Sequence, residues 1–174
     1  MLARIAILLL GAWICGTVLM AVVATLNFRT VDRILTRTGA EASPTFEEIP
    51  EKARRPALRH LASELNRLFF GAWGIAQLVL GGGVLALLFF QTPRGMTNIV
   101  LAGVLVALVL IAAAFLTPSM VAVGRQIEFL PRDNPPPHLA QQLATFGKLH
   151  AAYSSLDLLK LVLAVFLSVR LIRS

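Results

Sequence analysis

Five side chains near the end of the chain have the types and spacing to do chemistry together: His150, Tyr153, Ser154, Asp157 and Lys160. At 100° per residue on a helix they fall within one sector of roughly 120°, and Ser168 continues the line. Asp157 and Lys160 stand at i and i+3, where an acid and a base can pair. Both lie inside an apolar run, where an isolated charge costs on the order of 2.5–3.5 kcal/mol. Such groups face a bundle interior or a wet cavity, and two readings follow. One is a proton or ion relay with His150 at its mouth. The other is a self-neutralising Asp157–Lys160 pair that fixes one helix against its neighbours, with Lys160 partly snorkelling. No other apolar run offers a charged partner, which favours the pair.

The element that must position these groups is the last of four apolar stretches, at about residues 2–26, 68–90, 97–117 and 151–172. A spanning helix needs about 20 apolar residues, because the hydrocarbon core is about 30 Å thick and a helix rises about 1.5 Å per residue. The expected fold is all-α: a polytopic membrane protein with four transmembrane helices in an antiparallel bundle, one domain over 1–174. Composition agrees, with 57% hydrophobic and only 14% charged residues against about 25% charged in globular proteins. The net charge of +7 does not point to nucleic acid. The basic residues flank apolar runs, where they set topology and meet lipid headgroups, and no nucleic-acid motif accompanies them.

The first stretch resembles a secretory signal, with Arg4, an apolar run and the cleavage-like Val22-Val23-Ala24. Its apolar run, 5–26, exceeds the usual h-region of about 7–15 residues, so it is expected to stay as a helix. Cys15 is the one cysteine and excludes an intrachain disulfide framework. Connections 27–67 and 118–150 carry eleven lysines and arginines, against Arg4, Arg94, Arg170 and Arg173 on the opposite side. That asymmetry predicts cytoplasmic long connections and both termini outside.

The connections carry helical stripes: Phe28, Val31 and Leu35; Leu58, Leu61, Leu65 and Phe69; Met120, Val123, Ile127 and Leu130; Leu139, Leu143, Phe146 and Leu149. This spacing predicts amphipathic extensions that carry the bundle past the membrane on the cytoplasmic side. Thr38-Gly39-Ala40 is expected to end the first helix. Ser43-Pro44 and Pro50 predict an irregular segment up to Pro56, itself an early residue of the second helix. Gln91 to Gly95 reads as a tight turn, Thr117-Pro118 as a close or kink of the third span, and 131–137 as a stiff proline linker.

Gly16, Gly71, Gly74, Gln77, Gly81, Gly82 and Gly83 are expected to serve helix packing: small residues let backbones approach, and Gln77 can hydrogen-bond across an interface. The triple glycine could instead mark an unwound, substrate-binding stretch. His60, His138 and His150 match no zinc or haem spacing, although His150 alone could be an axial ligand to haem or chlorophyll. No Ser/His/Asp constellation, P-loop, GxGxxG or HExxH is present, and no catalytic activity is expected.

Leu116-Thr117-Pro118, followed by Phe146-Gly147-Lys148-Leu149-His150-Ala151-Ala152-Tyr153-Ser154-Ser155-Leu156-Asp157-Leu158, resembles the membrane domain of unknown function typified by eukaryotic transmembrane protein 205. That family is a four-helix membrane domain with a Phe-x-x-Leu-His-x-x-Ser-like entry to its last helix. Here the entry is offset, with Tyr153 or Ser154 at the serine position, and the first helix lacks the family's proline. The chain is also distantly similar to the copper-resistance-D-like bundles, some of which handle metal or haem. The resemblance implies a fold and no activity. The sequence therefore predicts a non-catalytic accessory subunit of a respiratory or photosynthetic assembly in the bacterial inner membrane, in contact with lipid or pigment and with other membrane subunits. A small proton- or metal-coupled carrier using Asp157, Lys160 and His150 and a haem- or metal-binding protein are the alternatives.

Overall fold

A computed structural model describes residues 1–36, 48–91, 95–127 and 137–173, with the backbone alone described for Glu51 and His138. Among these residues every regular element is a helix and none is a strand. The elements are α1 (Leu2–Thr36), α2 (Glu51–Phe90), α3 (Met96–Ile111), a π-helical turn (Ala112–Leu116), α4 (Thr117–Ile127) and α5 (Pro137–Arg173). Among the described residues three helical stretches are long and apolar enough to cross a membrane: Leu2–Thr36, Lys52–Phe90 and the continuous Met96–Ile127.

Side-chain pairs fix how the helices run. α1 and α2 are antiparallel. Trp13 of α1 covers Gly81 of α2, where a Cβ would stand 2.7 Å from the indole, and Trp73 of α2 lies over Gly16 of α1. Further along, Asn27 Nδ2 donates to Asn66 Oδ1 over 2.6 Å. α2 and α5 run parallel, through Phe70 against Tyr153 and Gln77 against Lys160. α5 runs back along α3 and α4, tied by Arg170 to Asn98 and by Gln142 to Gln126. The starts of α1 and α3 and the ends of α2 and α5 therefore gather at one end of the bundle.

At that end and through the middle, Ala6, Leu10, Trp13, Val84, Leu88, Ala102, Leu105, Val109, Ala164, Leu167 and Leu171 form one buried cluster. Ala6, Ala102 and Ala164 are small members of this cluster, and such residues let helix backbones approach closely. The outer surface is apolar as well: Leu8, Leu19, Ile75, Val79, Phe90 and Ile172 are each 60% to 72% exposed. In water this surface would drive aggregation.

Several sequence expectations change. The stretch 51–56 is helical, with Pro50 just before the helix and Pro56 inside it. The Thr117-Pro118 pair does not close the third span. Pro118 has no N–H and its ring would strike the carbonyl four residues earlier. The helix widens instead: the Thr117 N–H reaches the Ala112 carbonyl and the chain runs on to Ile127. On the α2 extension, Leu61, Leu65 and Phe69 point outward and Ala62 is buried. The rotation follows from Asn66, Trp73, Gln77 and Gly81, which lie on the inner face in one continuous register. Phe28 is exposed too, whereas Val31, Ile127 and Leu139 are buried as their stripes predict. The expected breaks at 38–40 and 43–44, the turn residues 92–94, Leu130 and most of the proline linker lie outside the described residues.

Candidate functional site

Lys160 is the centre of the site. It sits about midway along the apolar part of α5, on the face turned to the core residues Ala164 and Leu167, and is 2% exposed. Its Nζ lies 2.7 Å from Asp157 Oδ1, one turn back on the same helix. Its Nζ also donates to Gln77 Oε1 over 2.9 Å. Gln77 is itself 1% exposed and sits near the middle of the apolar part of α2, so both helices contribute at the same height. The Tyr153 ring stands 6.0 Å from the ammonium and packs edge-on against Phe70.

The chemistry of the cluster follows from its donor count. An ammonium has three N–H donors; Gln77 Oε1 takes one, and Asp157 Oδ1 stands at ion-pair distance. The carboxylate balances the charge within one helical turn. A buried ion pair holds only when such added hydrogen bonds compensate its desolvation, and the Gln77 amide is that addition. Asp157 keeps 22% of its side chain exposed, so the pair is closed on the lysine side and partly open on the carboxylate side.

The structure divides the predicted stripe. Tyr153, Asp157 and Lys160 come together with Gln77. His150 and Ser154 are exposed. The His150 ring stacks on Phe146 at 6.2 Å with an interplanar angle of 12°. Ser168 donates to the Ala164 carbonyl of its own helix. Among the described residues no three His, Cys, Asp or Glu side chains converge on a common point.

The glycines divide as well. Gly16, Gly81 and Gly83 meet side chains of the facing helix: Trp73, Trp13 and Leu9 respectively. At Gly71, Gly74 and Gly82 a Cβ would meet nothing within 4 Å, so these three mark no close helix approach within the chain. The triple glycine stays helical inside the unbroken α2, and the alternative of an unwound stretch does not hold.

Sequence reading missed further polar contacts across helices, among them Asn27 with Asn66, Gln142 with Gln126, and Arg170 with Asn98. Arg170 Nε donates to Asn98 Oδ1 over 3.0 Å at the end of the bundle opposite the extensions. A lone asparagine at the start of an apolar run was the available signal.

No protein-family model, curated protein or solved structure matches the chain.

Proposed function

We propose that this chain is an integral membrane protein of the bacterial inner membrane, with α5 as a fourth span, that works without catalysis as an accessory subunit of a larger membrane assembly. The observation that carries this reading is the closure of Lys160. The buried charge at mid-height is neutralised by Asp157 and hydrogen-bonded by Gln77 inside the chain, which suits a group that locks α5 to α2. Cytoplasmic long connections and outward termini follow the lysine and arginine count. The apolar exterior supplies lipid and subunit contacts, and His150, exposed beside Phe146, is the residue through which a pigment of such an assembly would be reached.

The deciding experiment is solubilisation of native membranes in mild detergent, followed by native gel, absorbance spectrum and mass spectrometry of what co-purifies. A defined complex larger than this chain is the expected result. A colourless monomer or homodimer with no partner overturns it.

A second reading, a small proton- or metal-coupled carrier, draws on the partial exposure of Asp157 beside Tyr153. It requires transport to vanish, at unchanged expression, when Asp157→Leu and Lys160→Leu are combined.

A further inference from the structure

The geometry points to a binding site for the phosphate of an anionic phospholipid between Arg170 and Arg173, with the lipid's acyl chain lying along Phe166 and Val169. These four residues line a shallow open crevice of about 390 Å³ at the end of α5. Two cations and two apolar side chains on one helical face match the two halves of an amphiphile.

Three further observations favour an anion there. Arg170 is held in place: Asn98, 9% exposed, accepts from its Nε, and the guanidinium carbon stands 5.9 Å from the Phe166 ring centroid. The terminal nitrogens are thereby oriented without being neutralised, and among the described residues neither Arg170 nor Arg173 has an ion-pair partner. The sequence has no Asp or Glu in 1–31, in 65–127 or after Asp157. Arg4 stands at the same end, in the first turn of α1, where the helix dipole is already positive. α3 also starts there, with no acidic residue in its first turn and no side-chain cap. An anion at this end offsets all of these charges together. The apolar half of the crevice selects a lipid over a soluble phosphate.

The assignment rests on the chain being embedded in a bilayer, so the experiment reads the two separately. The full chain is reconstituted with equal amounts of phosphatidylglycerol and phosphatidylcholine, and the lipid retained after detergent extraction is counted by native mass spectrometry. The wild type should retain phosphatidylglycerol over phosphatidylcholine by roughly tenfold or more. Combining Arg170→Gln with Arg173→Gln should bring the ratio near parity, while Arg125→Gln with Lys148→Gln, at the other end, should leave it unchanged. The exposed Arg173→Gln alone should lower the ratio severalfold and serves if the double variant does not fold. Parity in the wild type, or an unchanged ratio in the arginine variants, overturns the site. Displacement of the lipid by millimolar inorganic phosphate overturns the lipid as its occupant. Failure of the wild type to resist carbonate extraction from phosphatidylcholine vesicles would count against the membrane reading itself.

Discussion

Lys160 and Gln77, 83 residues apart in sequence, meet over 2.9 Å, and through that contact the charge of α5 is tied to α2. Because Asp157 completes the neutralisation, removing one partner differs in kind from removing both. Asp157→Leu alone strands a buried ammonium and should destabilise the protein by about 3–5 kcal/mol. The paired Asp157→Leu and Lys160→Met should come within about 1 kcal/mol of wild type or exceed it, since an apolar replacement of a buried ion pair is often neutral or stabilising. Reversible unfolding of the purified protein in mixed micelles measures both. Equal losses in the single and paired variants would remove the argument for a mutually neutralising pair.

The two tryptophan–glycine contacts predict an asymmetry among glycines that look alike in sequence. Gly81→Ala puts a methyl 2.7 Å from the rigid Trp13 indole, and Gly16→Ala meets Trp73 in the same way. Overpacking of this kind costs about 1–3 kcal/mol. Gly82→Ala enters open space and should gain up to about 1 kcal/mol from helix propensity. Thermal midpoints of the three variants test the ordering.

At the π turn the expectation concerns register. Deleting Ala113 together with Pro118→Ala should restore a plain α-helix and keep Gln126 opposite Gln142, now 3.1 Å apart. Deleting Ala113 alone should destabilise by about 3 kcal/mol, because the Pro118 ring then meets a helix carbonyl. Disulfide formation between cysteines placed at 126 and 142 reports whether the register survives.

Topology is tested with single cysteines in a Cys15→Ser background. Arg55→Cys should react with a membrane-impermeant maleimide only after cells are opened, and Arg173→Cys should react in intact cells. The reverse pattern would place the long connections outside.

Much of the architecture was legible because its signal is local. Apolar runs of membrane-spanning length, and the stripes through Val31, Ile127 and Leu139, announce helices and inner faces without reference to any partner. The α2 extension shows where this fails. Leu58, Leu61, Leu65 and Phe69 give a convincing period, yet the face that packs is set further along by Trp73, Gln77 and Gly81, and a rigid helix has one register throughout. Pro118 shows a related limit: of the two alternatives, a close or a kink, only the close is overturned. A proline's cost is local, but whether a helix breaks or widens around it depends on the neighbours that hold both halves in line.

By itself the sequence determined that the chain is helical, that its charges lie mainly at the ends of its helices, and that Asp157 and Lys160 are near neighbours. These follow from composition and from the 3.6-residue repeat. The tertiary structure decided which members of the polar stripe act together: Gln77 joins Lys160 from another helix, while His150 and Ser154 turn away. It also decided which glycines are contacts, through the placement of Trp13 and Trp73. Contacts between helices depend on relative rotation and height, and a single helix's sequence carries no record of its neighbour's register.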